Sequence, residues 1–226
     1  MKKFQVDTGG TLTTGLVAYY KLEDTTDFWG TNNLTGVSNP SFQSGKVNNG
    51  VSLDGSTNYL TTASTITPVT NFSISVWVKK AGTTASQAVM GQEVTVGYIF
   101  DFETNVNDWL IFVGAGTGTE QVSFAGGPKT DWTGIWRHLV LTKSGTTIEL
   151  FIDGVSKGTQ TLSQLASITE VGRGQSNKWG GMIDELGIWN KVLSATEIAD
   201  LYNGGAGQTM IEAVGGVARR GLIMSM

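Results

Sequence analysis

Asp184 and Glu185 are paired carboxylates, the groups that glycoside hydrolysis uses: one protonates the leaving oxygen while the other attacks or activates water. The two are consecutive, in the run Gly181-Met182-Ile183-Asp184-Glu185-Leu186-Gly187-Ile188-Trp189. Neighbours on a regular strand point to opposite faces, so this pair is not expected to flank one sugar bond. His138 is the only histidine, and the chain has no cysteine to join it in a metal or nucleophile site. A Ser-His-Asp arrangement would have to be built around it; the alternative is a packed strand histidine beside Trp136 and Val140. The tryptophans offer a different chemistry, stacking in a concave binding face. Trp77 is expected to point away from Phe72, Ile74, Val76 and Val78, and Trp109 and Trp179 fall near expected loops. For each of the three, burial under a second sheet or a loop is the competing reading.

The elements that must position these residues are strands. Glycine occupies 31 of 226 positions and sits between short apolar runs, the spacing of turns between strands. Phe72–Val78 and Thr147–Ile152 alternate apolar and polar, which gives each one core face. Gly15–Leu22 is apolar almost throughout and suits a strand buried on both sides. Asp153-Gly154 is a preferred pair for a type I′ hairpin, and Ser144-Gly145 marks the turn before it. Residues 135–161 are therefore expected to form a three-stranded antiparallel meander. Asp54-Gly55 marks another turn. One helix is expected: Ser194-Ala195-Thr196-Glu197 is a capping box, Ile198, Leu201 and Tyr202 form an apolar face, and Asn203-Gly204-Gly205 stops it.

Composition removes several classes. The formal net charge is −4 with no basic stripe, which disfavours nucleic acid as a partner. No apolar run reaches 18 residues, so no membrane-spanning helix is expected. The start, MKKFQVDTGG, lacks the apolar segment of a secretory signal. Synthesis in the cytoplasm is the expectation, with export by a non-classical route as the alternative.

Five segments, in order, resemble the laminin-G-like jelly rolls of the concanavalin-A-like lectin and glucanase superfamily. They are Gly15–Asp24; Gly50-Val51-Ser52-Leu53-Asp54-Gly55 with Asn58-Tyr59-Leu60; Phe72-Ser73-Ile74-Ser75-Val76-Trp77-Val78-Lys79; Trp136–Thr142 with the run to Asp153-Gly154; and Gly181–Asn190 through Tyr202-Asn203. The resemblance implies an all-β, two-sheet antiparallel sandwich with one short C-terminal helix. Residues 15–206 would form that domain, 1–14 an N-terminal arm or edge strand, and 207–226 a C-terminal arm. Glycosidases of the superfamily commonly carry E-x-D-x-x-E on one strand, a pattern missing here. Relatives with a structural calcium hold it where an early D-S-S-G-N-x-N loop meets the closing strand. Asp27-Phe28-Trp29-Gly30-Thr31-Asn32-Asn33 aligns with that loop, so Asp27, Asn32, Asn33 and Asp184 are the implied ligands. The alternative is an Asx-rich turn that caps its own backbone.

Three functional classes follow. The first is a non-catalytic binding or structural module on an assembly such as a virion surface, with protein partners or further copies of itself and a glycan ligand. It is favoured by the arm ending Leu222-Ile223-Met224. The second is a free carbohydrate-binding module or adhesin. The third, a glycan-cleaving enzyme, is disfavoured by the missing carboxylate motif. Trp77, Trp109 and Trp179 are the expected glycan-binding residues in the first two classes.

Overall fold

Alternation of apolar side chains makes each strand two-faced, and two such sheets bury their apolar faces against each other. The computed structural model describes residues 11–83, 86–105 and 107–209. The first sheet runs β13 (Val155–Thr161), β12 (Thr147–Ile152), β11 (Trp136–Ser144), β6 (Asn71–Lys80) and β17 (Gly180–Trp189). Beyond β17, β4 (Asn49–Asp54) pairs with its first half, with β3 (Ser41–Ser44) outside, and β1 (Leu16–Tyr20) pairs with its second half. The second sheet runs β10 (Gln121–Pro128), β9 (Asp108–Gly114), β8 (Tyr98–Asn105), β7 (Gln87–Gly91), β14 (Ile168–Val171), β5 (Tyr59–Ile66) and β2 (Leu34–Val37). A small hairpin of β15 (Arg173–Gly174) and β16 (Asn177–Lys178) packs against β7 and β8. All of the ladder pairings are antiparallel.

The expected meander is β11–β12–β13. Asp153 (φ 52°) and Gly154 (φ 77°) turn its second hairpin with the two left-handed residues that a type I′ turn requires. Asp153 also accepts from the backbone of His138 at 2.9 Å and pairs with Arg137 at 2.5 Å, tying the turn to β11. Phe72, Ile74, Val76 and Val78 enter the main core with Ile148 and Leu150, as their alternation predicts.

A second, smaller core lies on the outer face of the first sheet. There α1 (Ala195–Tyr202) lays Ile198 and Leu201 against Tyr19, Val140 and Trp189. Ser194 caps it through the reciprocal bonds of a capping box, and Asn203 ends it in the left-handed conformation. The chain on either side of the expected domain joins this core. Leu12 is buried and its carbonyl accepts from the Trp189 indole at 2.6 Å, while Gly207 lies against Trp77. Residues 1–10 and 210–226, including Leu222-Ile223-Met224, lie outside the described residues.

Candidate functional site

The outer face of the first sheet carries Asp184, Trp77 and His138 in one row, because β17, β6 and β11 place them opposite one another in register. Trp77 does point away from the main core. It is nonetheless 2% exposed. His138 stacks on it at 4.9 Å between centroids, Tyr202 at 5.9 Å, and the Lys46 ammonium stands 4.4 Å from its ring. A side chain that the sheet alone would expose is thus roofed by the end of α1 and the segment after it.

A break in the pleat puts the two carboxylates where regular alternation would not. One extra residue in β17 opposite β6, with Glu185 at φ 49°, makes a β-bulge. Leu186 and Ile188 still face the main core, whereas Glu185 shares a small enclosed space with Ser75, Trp77, His138, Leu201 and Gln208 on the outer side. Asp184 and Glu185 therefore lie on the same side. Their surroundings hold them in place. Asp184 Oδ2 accepts from the backbone N–H groups of Lys46 and Val47 at 2.7 and 2.9 Å, and Oδ1 from that of Glu185 at 2.9 Å. Tyr19 donates its hydroxyl to Glu185. Burial pushes the Asp184 carboxyl up to about 7, and burial and Asp184 together push that of Glu185 well up. His138 Nε2 meets Ser75 Oγ at 2.8 Å, but Nδ1 has no hydrogen-bond partner and so lacks the carboxylate that orients a catalytic imidazole. Burial, then Lys46, lowers the His138 pKa to about 3, so the ring is neutral.

The implied calcium ligands do not converge. Asp27 Oδ1 accepts from the backbone of Tyr19, Trp29 and Gly30 at 3.1, 3.1 and 2.9 Å, and Oδ2 from that of Asn32 at 3.1 Å. Asn33 Oδ1 accepts from Asp27 N–H, and Asn32 Oδ1 from Ser64 N–H. Asp184 meets residues 46 and 47 instead of the 27–33 loop. The loop oxygens thus accept from backbone donors and Asp184 lies apart from them, whereas calcium takes six to eight oxygen ligands. Among the described residues no group of three or more His, Asp or Glu side chains could hold a metal. The bonds within 27–33 are those of an Asx-rich turn.

Trp109 and Trp179 lie near strand ends, as expected, and both are buried. Trp109 lies within β9 and Trp179 immediately before β17. They pack edge-on or tilted against Phe102 at 5.9 and 5.2 Å in the main core. None of the three tryptophans offers a free ring to a ligand.

The open site lies elsewhere, at the end of the sandwich where β4 finishes, β7 begins and the β15–β16 hairpin folds over. A polar cleft of about 220 Å³ is lined by Gly55, Ser56, Ser86, Gln87, Ser176, Asn177 and Lys178. Gly174 lets the hairpin approach so closely: a Cβ there would come 2.8 Å from Met90 O and 2.9 Å from Tyr98 Cβ.

Two buried charges lie behind the cleft. Lys80, fully buried at the end of β6, donates to Gln87 Oε1, which also accepts from Gly180 N–H at 3.3 Å. Its ammonium stands 4.8 Å from the Trp109 ring centroid and 5.4 Å from that of Trp179. Asp101, 2% exposed, accepts at Oδ2 from Asn177 Nδ2 at 3.0 Å, while its Oδ1 has no hydrogen-bond partner. Burial, then Glu103, pushes the Asp101 carboxyl up to about 7, and burial lowers the Lys80 pKa to about 8 against the pull of Asp101. Asp101 reaches this position because Phe100, at φ 60°, sits at a register shift in β8. The sequence carried one signal of it: a lone acid within the apolar run Tyr98-Ile99-Phe100-Asp101-Phe102.

Two packed antiparallel sheets with a short helix after the last strand define a lectin-like jelly-roll sandwich. The profile of the laminin-G-like family described as the concanavalin A-like lectin/glucanases superfamily matches residues 54–199, and the chain belongs to that family. No curated protein sequence matches it. Among solved structures it is similar to domain 4 of AbnA, a GH43 extracellular arabinanase from Geobacillus stearothermophilus, in complex with arabinotriose. That pair has a TM-score of 0.58 and 21% identity, over 82% of this chain and 97% of the other. A botulinum neurotoxin type C structure, whose cell entry depends on interaction with two ganglioside molecules, has a TM-score of 0.62 and 12% identity over 86% of this chain and 52% of the other. The binding domain of Paraclostridial Mosquitocidal Protein 1 has a TM-score of 0.59 and 14% identity, over 86% of this chain and 53% of the other. This chain thus spans about half of each of the two toxin chains. At these identities the likeness is one of fold.

Proposed function

We propose that this protein is a non-catalytic glycan-binding module that takes sugar in the polar cleft between Ser56, Ser86, Gln87, Ser176, Asn177 and Lys178. The observation that carries the reading is the lining itself: three serines, Gln87, Asn177 and Lys178 line one open volume, with the two amides anchored from behind. Sugar hydroxyls both donate and accept, and such a lining matches them. The volume, below the ~300–1,000 Å³ of drug-sized pockets, suits one sugar residue. The arabinotriose held by the arabinanase domain and the gangliosides of the neurotoxin support a sugar as the ligand class. The carboxylates of β17 support no cleavage role in this reading, since they are enclosed and bonded to the fold.

The test is a glycan array with the unaltered protein and with Lys178→Ala and Asn177→Ala. We expect at least one glycan to be retained by the unaltered protein and lost, by about tenfold or more, from both variants, each folded by circular dichroism. Retention of the glycan by both variants, or an empty array, overturns the reading. The finer setting, a decoration or fibre on a virion surface, rests on the C-terminal arm, residues 207–226. It is tested by sizing the chain with and without them: a larger assembly only when they are present supports it, and equal sizes remove it.

A further inference from the structure

We infer that the cleft is built to recognise an acetamido group, so that its ligand is an N-acetylated sugar; this inference rests on the glycan-binding reading above. An amide side chain has a donor arm and an acceptor arm, and which one faces a ligand is set by what holds the other. The Lys80 ammonium can only donate, so it fixes the Gln87 carbonyl inward, and Gly180 N–H makes the same demand. The Gln87 NH₂ is therefore turned the other way, between Gly180 and Gly55: a Cβ built on those glycines would lie 3.1 and 3.4 Å from Nε2, and Gly55 lines the cleft beside Gln87.

Asn177 is held in the opposite sense. Asp101 Oδ2 accepts, so the Asn177 NH₂ must face inward. That demand is the same whether Asp101 is ionised or carries a proton on Oδ1, the oxygen without a partner. The Asn177 carbonyl is left on the cleft side. Two buried groups of opposite charge thus turn two like side chains in opposite directions. The cleft presents one amide donor and one amide acceptor, each fixed before any ligand arrives.

A secondary amide is the group with the matching pair: its carbonyl accepts from the Gln87 NH₂ and its N–H donates to the Asn177 carbonyl. A hydroxyl can satisfy either arm, but a single hydroxyl spans both less well than a planar amide that carries its donor and acceptor on different atoms. A pre-set polar pair that a ligand leaves unmatched is costly, which is the basis of selectivity for the ligand that matches it.

The experiment compares sugars that differ only in this group: triacetylchitotriose against cellotriose, and N-acetylgalactosamine against galactose, by titration calorimetry on the full chain. We expect the acetamido member of at least one pair to bind about tenfold tighter or more. Gln87→Glu, which keeps a partner for Lys80 but replaces the outward donor with an acceptor, should abolish that preference. Binding without a preference for the acetamido member in either pair overturns the inference and leaves the glycan-binding reading standing. An absence of binding to these sugars and to every glycan on the array overturns both. If Gln87→Glu does not fold, the paired sugars on the unaltered protein decide alone.

Discussion

The Asp184 carboxylate accepts from the backbone N–H of Lys46 at 2.7 Å, across 138 positions of sequence, and from its neighbour Val47 at 2.9 Å. The contact fastens the β3–β4 turn to the closing strand. It is crowded as well: a Cβ on Gly45 would lie 2.5 Å from Asp184 Oδ2. Asp184→Ala strands the buried donors that this carboxylate satisfies, at about 1–3 kcal/mol each. We expect a loss of about 3 kcal/mol in urea unfolding, and a loss below about 1 kcal/mol would show the contact to be dispensable.

The pH profile of stability should bear the mark of the bulge. Glu185 and Asp184 have folded pKa values raised above their unfolded ones by burial, with Asp184 at about 7. The folded state therefore binds protons more readily than the unfolded state. The stability these two groups contribute is fully present below about pH 4 and is lost as pH rises through about 7. Glu185→Gln, whose carbonyl still accepts from Tyr19, removes one of the two charges. We expect its melting temperature to exceed that of the parent at pH 8 by about 2 °C or more, and the gap to close near pH 4. His138, depressed to about 3, acts in the opposite sense: its contribution is present above about pH 6.5 and is lost on acidification. A constant gap between parent and variant at all pH values would contradict this account.

Trp77 separates structure from recognition. It fills the space beneath Tyr202 and Gly207 and stacks on His138. Trp77→Ala should cost about 3–5 kcal/mol, the range for emptying a buried aromatic site. Glycan affinity, measured well below the lowered melting temperature, should stay unchanged. A variant of unchanged stability with lost binding would instead place the ligand on this ring.

Asp27 is expected to stabilise without metal. Calcium or a chelator should leave the melting temperature within about 1 °C, because a ligand stabilises only what it binds. Asp27→Ala should lower it, since four backbone donors lose their acceptor. A calcium-dependent rise that vanishes in this variant would restore the metal.

Much of the scaffold was legible because its signals are local. Asp153-Gly154 dictates its own turn, Ser194 and Glu197 cap each other, and Phe72–Val78 alternate through an uninterrupted stretch of β6. Trp77's side of the sheet could be read from the same alternation. Burial under a loop is one of its two readings from sequence, and what decides for it, the roof of Tyr202 and Gly207, comes more than a hundred positions later. The two carboxylates were misplaced for one reason: a single extra residue in β17 shifts the period, and Glu185 gives no local sign that it adopts φ 49°. Lys80, Gln87, Asp101 and Asn177 come from four separate segments, so no spacing along the chain announces the cleft. Asp101 alone left a trace, as an acid among aromatics.

The roof formed by α1 also takes Trp77 and His138 out of any encounter at the surface: both lie beneath it and are at most 2% exposed. On the proposed reading the ligand is met at the end of the sandwich instead, so exchanging the solvent-facing residues of α1 should leave sugar affinity untouched.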